Sequence, residues 1–115
     1  MPSGSVYETK AADFLKQKGY KVIQRNFRTG AGEIDIIAQD KDFVAFVEVK
    51  ARHLDPMISG LEAVTFKKRA RIKKAALAYT QTLPETNFRF DVLEVIYGKD
   101  WLEYNLIKDA FGMDD

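Results

Sequence analysis

Four ionisable residues lie inside two apolar stretches of the segment Gly32–Arg52, which reads GEIDIIAQDKDFVAFVEVKAR. The first stretch contains Glu33 and Asp35, and the second contains Glu48 and Lys50. Ionisable groups inside apolar strands are costly to bury unless they are paired or bind a metal. The pattern therefore indicates that these side chains meet one another or a cation.

The strand pattern predicts which of the four residues meet. Two strands joined by a tight two-residue turn, with alternating side chains, place Asp35 opposite Glu48 and Glu33 opposite Lys50. A slip of one residue would carry Asp35 to the other face of the sheet. The same alternation divides the side chains of the first of these two strands, the one that contains Asp35, between two faces of the sheet. One face carries Ile34, Ile36 and Ala38, and the other carries Glu33, Asp35 and Ile37.

Two opposed carboxylates have a limited choice of partners. Their β-carbons would lie about 5 Å apart, where like charges are destabilising, so the pair shares either a proton or a cation. Mg²⁺ prefers oxygen ligands, commonly one or two carboxylates with water and substrate phosphate. Lys50 could orient an attacking water or stabilise phosphate charge. The plainer alternative for Glu33 is a cross-strand ion pair with Lys50.

The elements that must position these residues follow from periodicity and from glycine and proline positions. They are a helix over Ser5–Lys18, strands over Tyr20–Arg28, Glu33–Gln39 and Phe43–Lys50, a loop over His53–Ser59, a helix over Gly60–Leu83, strands over Phe88–Tyr97 and Trp101–Ile107, and a partly frayed tail from Lys108. The helix that joins the third and fourth strands predicts a parallel pair. We expect one α/β domain over residues 1–115, with 1–4 and 112–115 loose, and a mixed five-stranded sheet flanked by helices.

Composition narrows the classes of protein. A chain of 115 residues with 46% hydrophobic residues is typical of one globular domain. Cysteine is absent, which excludes disulfides and thiolate metal sites, and the single histidine, His53, excludes a multi-histidine site. The first residues lack the apolar run of a signal peptide, and no run is long enough to span a membrane. A cytoplasmic protein is expected.

The motif around these residues resembles a known nuclease core. Gly-Glu-Ile-Asp, a spacer, and Phe-Val-Glu-Val-Lys-Ala-Arg are similar to the core of the PD-(D/E)xK superfamily, and the chain resembles the YraN-like family of uncharacterised bacterial proteins nearly end to end. Archaeal Holliday-junction resolvases are a more distant likeness. The residues that carry the family resemblance are the opening helix, Asn26-Phe27-Arg28, Gly32–Asp35, Glu48–Arg52, Ala63-Val64-Thr65 with Lys68, Arg89–Val92 and Ile107–Phe111.

The resemblance implies a restriction-endonuclease-like fold and a metal site. It implies that Asp35 and Glu48 bind Mg²⁺, or alternatively Mn²⁺, with the Val49 carbonyl as a further ligand and Lys50 as the catalytic lysine. Ile34 stands where the superfamily's name has proline.

Glu8, on the opening helix, has two interpretations that the sequence leaves open. In the first, Ser5 and Glu8 form a Ser-x-x-Glu capping box at the helix start. In the second, implied by the resemblance, Glu8 lies near the metal.

The second helix is strongly basic, since six of the eight residues from Lys67 on are lysine or arginine. Lys68 falls on its apolar stripe, which predicts contact with phosphate or pairing with an acid, or else a lysine that extends to solvent at the edge of the core. Lys67 and Arg71 lie off the stripe and could attract phosphate. Arg28 and Arg52, which flank the hairpin strands, are weaker candidates.

The leading interpretation is a metal-dependent DNA endonuclease, selective for branched DNA by resemblance. A non-catalytic nucleic-acid-binding or adaptor protein that retains the fold is the alternative, and an interaction module with structural ion pairs is the third. Whether a homodimer is needed to cut two strands stays open. For Asp91, inside the fourth strand, a structural role is expected.

Overall fold

The computed structural model of the chain describes residues 3–55 and 64–114. Two helices and five strands follow the predicted order. They are α1 (Ser3–Gln17), β1 (Lys21–Arg28), β2 (Glu33–Asp40), β3 (Phe43–His53), α2 (Phe66–Thr80), β4 (Asn87–Tyr97) and β5 (Leu102–Phe111).

The strands form one mixed sheet in the order β1-β2-β3-β4-β5. All neighbours are antiparallel except β3 and β4, which run parallel from the pair Phe43–Asn87 to the pair His53–Tyr97. The connection between those two strands contains α2, as a parallel pair requires. The predicted five-stranded mixed sheet is therefore confirmed.

A layer of apolar side chains lies between each helix and the sheet. Ala11, Ala12 and Leu15 of α1 pack on one face, because residues three and four apart share one side of a helix. Ile72, Ala75 and Ala76 of α2 pack on the other face. The sheet is thus covered on both sides, which explains why its central strands are apolar on both faces.

Strand β2 departs from regular alternation at Asp35. Ile36 and Ala38 share the α1 face, as the alternation predicts, but Ile34 packs with Ile37 in the cluster under α2. The prediction that Ile34 shares a face with Ile36 is therefore wrong. Regular alternation therefore ends at Asp35, which lies just beyond Ile36–Val47, the last regular pair of the β2–β3 ladder.

Helix α2 is shorter than predicted. Its N-cap is Thr65, whose hydroxyl accepts a hydrogen bond from the amide of Lys68 at 3.1 Å. The first predicted residues, 60–63, lie outside the described residues. The helix ends at Thr80 rather than at the predicted Leu83, since tight turns replace it ahead of Pro84.

The strands β3 and β5 are longer than predicted. Strand β3 includes His53, which had been assigned to the following loop. Strand β5 runs through Phe111, whose ring stacks on Phe90 with centroids 4.9 Å apart. The predicted fraying from Lys108 is therefore wrong up to residue 111.

Candidate functional site

Asp35 and Glu48 meet beyond the last regular pair of the β2–β3 ladder. The ladder runs from Asp40–Phe43 to Ile36–Val47, in the predicted register. The next side chain, Asp35, accepts a hydrogen bond from the amide of Val49 through Oδ2 at 2.8 Å. The carboxyl groups of Asp35 and Glu48 lie close enough to affect each other's pKa and line the same cavity. The predicted meeting of the two acids is thus present.

Burial makes this carboxylate pair retain a proton. Glu48 is only 4% exposed, and burial, followed by the charge of Asp35, raises its pKa to about 7. Burial also raises the pKa of Asp35, against the opposing effect of the Val49 amide. Below neutral pH the pair therefore holds one proton, and above it two negative charges share one small space.

Lys68 supplies a cation to this pair. Its Nζ atom lies 2.6 Å from Oε1 of Glu48. The Thr65 cap fixes the start of α2, and Lys68 therefore projects from its first turn towards the sheet. The predicted pairing of Lys68 with an acid is confirmed.

Glu8 brings a third carboxylate to the same place. A cavity of about 180 Å³ is lined by Tyr7, Glu8, Glu33, Asp35, Glu48, Val49, Ala51 and Lys68. Oε1 of Glu8 is buried without a hydrogen-bond partner. Burial first, and the charge of Asp35 second, raise the pKa of Glu8. We call this space the carboxylate cavity.

Of the two interpretations of Glu8, the capping box is wrong. Helix α1 begins at Ser3, so Ser5 lies inside the helix and cannot be its N-cap residue. The location of Glu8 beside Asp35 is the alternative that the structure supports.

The donor set of the carboxylate cavity fits a hard cation that keeps water ligands. The described residues contain no group of three histidine, aspartate or glutamate side chains that could hold a metal ion by themselves. Mg²⁺ does not need one, because one or two carboxylates suffice when water and phosphate complete its octahedron. Such a cation would offset the repulsion between Asp35 and Glu48. It would also lie near the buried oxygen of Glu8, which has no hydrogen-bond partner.

A second, basic cavity of about 410 Å³ lies next to the first and shares residues with it. Its lining residues are Glu33, Glu48, Thr65, Lys67, Lys68, Arg71 and Ile72. Lys67, Lys68 and Arg71, the three α2 residues singled out from the sequence, thus line one cavity together with Glu48. We call this space the basic cavity.

Gly32 sets the distance between this wall and the hairpin. A β-carbon on Gly32 would lie 1.9 Å from the carbonyl oxygen of Arg71. The loop before β2 therefore touches the backbone of α2, and no larger residue fits there without moving one of them.

Lys50 is placed less favourably than the resemblance implied. It lies on β3 two residues after Glu48 and is 7% exposed. It is not among the described residues that line either cavity. Its catalytic role, and the role of the Val49 carbonyl as a metal ligand, stay predictions.

The outer charged residues belong to other ion pairs. Glu33 pairs with Arg28 at 3.2 Å and not, as predicted, across the hairpin, because Arg28 is its direct neighbour on β1. Arg52 pairs with Glu94 at 3.2 Å. Both arginines are thus engaged with acids, which makes them weaker phosphate candidates than the α2 residues.

The structural role expected for Asp91 is confirmed. Its fully buried carboxylate accepts hydrogen bonds from Nε of Arg89 at 2.9 Å, from the Tyr20 hydroxyl at 3.1 Å and from the amide of Asp109 at 3.0 Å. Arg89 also binds Asp40 at 2.6 Å, and the hydrogen bond from Arg89 lowers the pKa of Asp40. Every described acid of this network has a partner.

Sequence reasoning missed two residues that line the cavities. Tyr7 lies in the carboxylate cavity and Thr65 in the basic cavity. Both had a usable signal, since Tyr7 precedes Glu8 and Thr65 stands three residues before Lys68 in the N-cap position of a helix. From the sequence, Tyr7 is only a member of the opening helix, and Thr65 is only part of the motif Ala63-Val64-Thr65.

The comparisons with known proteins place the chain in a family. The model of the "Uncharacterised protein family UPF0102" matches residues 7–95. The chain belongs to this family. UPF0102 is the YraN-like family whose resemblance the motifs predicted.

Individual members of UPF0102 are similar over almost the whole chain. A UPF0102 protein of Clostridium botulinum (strain Loch Maree / Type A3) is 48% identical over 113 residues, which cover 94% of this chain and 92% of the relative. A UPF0102 protein of Clostridium kluyveri is 46% identical over 112 residues, with the same coverage. No helix in the described part of the chain is long and apolar enough to cross a membrane.

Proposed function

We propose that the protein is a metal-dependent endonuclease that hydrolyses phosphodiester bonds in DNA. The observation that carries this proposal is the convergence of Asp35 and Glu48 on one cavity, beside the unpartnered oxygen of Glu8. An acid in a cleft whose pKa is strongly raised by burial and by a specific neighbouring charge is a candidate functional residue.

Asp35 and Glu48 would hold Mg²⁺ or Mn²⁺, with the Val49 carbonyl as a further donor. Glu8 lines the same cavity, but among the described residues it does not complete a group of three carboxylates that binds the ion directly. A bound divalent ion supplies Lewis acidity at the phosphate and lowers the pKa of a bound water. The Val49 amide fixes the direction of the Asp35 carboxylate through its 2.8 Å hydrogen bond. The pair must lose its shared proton before it can bind a cation, so the affinity for the metal falls as pH falls.

The basic cavity would bind the DNA backbone. Lys67 and Arg71 line the same cavity as Glu48, where they would neutralise phosphates that flank the scissile one. Phosphate contacts position a duplex without reading its sequence. The proposal therefore concerns a cleavage site chosen by DNA shape and not by base sequence.

The decisive experiment is a cleavage assay with matched variants. The purified protein is incubated with linear, single-stranded, flapped and four-way DNA in the presence of Mg²⁺, Mn²⁺ or EDTA. We expect metal-dependent cleavage of at least one substrate and its loss in Asp35→Ala. Asp42→Ala, an acid in the exposed turn at the other end of the same hairpin, is the control and should retain activity.

Two outcomes would contradict the proposal. Cleavage that survives Asp35→Ala or persists in EDTA would exclude this site and this cofactor. DNA binding without cleavage of any substrate would favour the second candidate function, a nucleic-acid-binding protein that retains the fold. The 2.6 Å ion pair between Lys68 and Glu48 is the observation that favours this candidate, because a lysine there neutralises the pair without a metal.

The assay also separates the two lysines of the site. We expect Lys68→Ala to reduce cleavage more than Lys50→Ala, since Lys68 lines both cavities and Lys50 is not among their described lining residues. The reverse order would support the catalytic lysine that the superfamily resemblance implies.

A further inference from the structure

A groove of about 480 Å³ shares Tyr7 with the carboxylate cavity and has no described lining residue in common with the basic cavity. It is lined by Val6, Tyr7, Lys10, Tyr97, Gly98, Lys99, Asp100, Trp101 and Leu102. These residues come from the first turns of α1 and from the turn between β4 and β5. We call it the aromatic groove.

Its rings are held in place and are accessible. Tyr7 and Tyr97 stack with centroids 5.1 Å apart and planes 21° from parallel. Trp101 is 43% exposed, and a β-carbon on Gly98 would lie 2.5 Å from its Nε1 atom. The indole thus rests against the backbone of Gly98 in a fixed position, while nearly half of it faces solvent.

The charges around these rings suit a phosphate-bearing ligand. Lys10 and Lys99 are exposed at the groove, and Asp100 is the one acid among its described lining residues. Aromatic faces next to cations are how proteins bind single-stranded nucleic acid, since bases stack on the rings and the backbone follows the positive charge. A purely apolar ligand would gain nothing from the two lysines.

The aromatic groove is continuous with the proposed catalytic site. Tyr7 lines both the aromatic groove and the carboxylate cavity. Glu33, Glu48 and Lys68 line both the carboxylate cavity and the basic cavity. The three spaces therefore follow one another across the surface, in the order basic, carboxylate and aromatic.

We infer that the aromatic groove binds an unpaired nucleotide of the DNA strand next to the scissile phosphate. This inference rests on the proposed function and names its substrate class, which is DNA with a single-stranded segment joined to a duplex. The duplex lies along the basic cavity, and the unpaired strand passes Tyr7 into the aromatic groove, where a base stacks on Trp101.

The single tryptophan of the chain makes the inference testable without catalysis. The wild-type protein, in EDTA, is titrated with oligothymidylate of about ten nucleotides and with a duplex of the same length while Trp101 fluorescence is recorded. We expect saturable quenching by the single strand, and much weaker quenching by the duplex. Stacking of a base on the indole is the physical cause.

Variants then measure the affinity through the anisotropy of a labelled oligonucleotide. We expect Trp101→Ala to weaken single-strand binding by about 5- to 150-fold, the range found when a stacking ring is removed, and Trp101→Phe to retain most of the affinity. Ile23→Ala is the control, because Ile23 is an apolar side chain of similar exposure, 45%, on β1. Far-ultraviolet circular dichroism checks that each variant is folded.

The outcomes separate this inference from the proposed function. Three results would overturn the inference even if the enzyme cuts DNA. The single strand would cause no quenching, the duplex would quench as strongly as the single strand, or the affinities of Trp101→Ala and Ile23→Ala for the single strand would agree within roughly twofold. Trp101-dependent single-strand binding without cleavage of any substrate would instead overturn the proposed catalysis and leave the groove assignment standing.

Discussion

Glu48 concentrates the electrostatics of the site, because it lies between a like charge, Asp35, and an opposite one, Lys68. Its pKa of about 7, against an ordinary value of 4.5, means that the folded protein holds this proton more tightly than the unfolded chain. Between these two pH values the unfolded chain releases the proton while the folded protein retains it. Rising pH therefore favours unfolding in this window.

We predict that Glu48→Gln removes this loss of stability. The wild type should lose up to ~3 kcal/mol of unfolding free energy through this group as pH rises from 4.5 to about 7. The variant has no carboxyl to ionise and should lose that much less. Urea unfolding of both proteins at several pH values between 4 and 8 (approximately) measures the difference. Parallel stability profiles for the two proteins would contradict the prediction.

The residues of the site were predictable from the sequence, but their geometry was only partly so. Asp35 and Glu48 could be paired because residue types and a tight turn fix the register. The break in alternation at Asp35 could not be predicted, since it depends on how Ile34 packs under α2. The partner of Glu33 was missed for a related reason: Arg28 is brought to it by the β1–β2 register, which local sequence does not reveal.

At the scale of elements, the site depends on the contact between the loop before β2 and helix α2. We predict that Gly32→Ala destabilises the protein by about 1–3 kcal/mol, the usual cost of forcing an atom into a filled space. The added β-carbon would lie 1.9 Å from the Arg71 carbonyl oxygen, so α2 must shift and carry Lys68 away from Glu48. DNA affinity should fall together with stability.

Gly30 offers a matched control in the same loop. A β-carbon at Gly30 meets nothing within 4 Å, so Gly30→Ala should leave the unfolding free energy within about 0.5 kcal/mol of wild type. Chemical denaturation of both variants measures the difference. Equal effects at Gly30 and Gly32 would show that loop flexibility, and not the contact with α2, is responsible.

The existence and order of the elements followed from the sequence, whereas several boundaries did not. Periodicity and the positions of Gly19 and Pro84 identified the helices. The start of α2 is set by the Thr65 hydroxyl, which caps the helix. The apolar stripe continues before Thr65 in the sequence and therefore predicts an earlier start. The length of β5 depends on the stacking of Phe111 on Phe90 and on the hydrogen bond to Asp91, both of which are tertiary contacts.

At the scale of the molecule, the two ends of the β2–β3 hairpin have different roles. Asp40, in the buried network of Arg89 and Asp91, lies five residues along β2 from Asp35, which is about 17 Å in a strand. We predict that Asp91→Asn costs about 2–3 kcal/mol, because it removes a buried carboxylate that accepts charge-assisted hydrogen bonds from Arg89 and leaves Asp40 as the counter-charge of this largely buried guanidinium. Where the variant is still folded, its DNA affinity should equal that of wild type.

Lys108→Ala is the control for this network. Lys108 also binds Asp40, at 3.2 Å, but its side chain is more than half exposed, so its loss should cost no more than about 1 kcal/mol. Thermal or urea unfolding measures both variants. A loss from Asp91→Asn as small as that from Lys108→Ala would mean that the buried network does not stabilise the sheet.

The net charge of the whole chain, +1, gives no reason to expect binding to a polyanion. The local distribution does, because Lys67 and Arg71 share one cavity wall with Lys68. Binding of duplex DNA through phosphate contacts releases counterions, so the logarithm of affinity falls linearly with the logarithm of salt concentration.

We predict that Lys67→Ala and Arg71→Ala each make this slope shallower by about 1. The control is Lys74→Ala, which should leave the slope unchanged. Lys74 is an exposed residue of the same helix and is not among the described lining residues of the basic cavity. Anisotropy titrations in EDTA at several salt concentrations measure the slopes. Equal slopes for all three variants would mean that α2 acts through its overall charge, and that the basic cavity does not hold a particular phosphate.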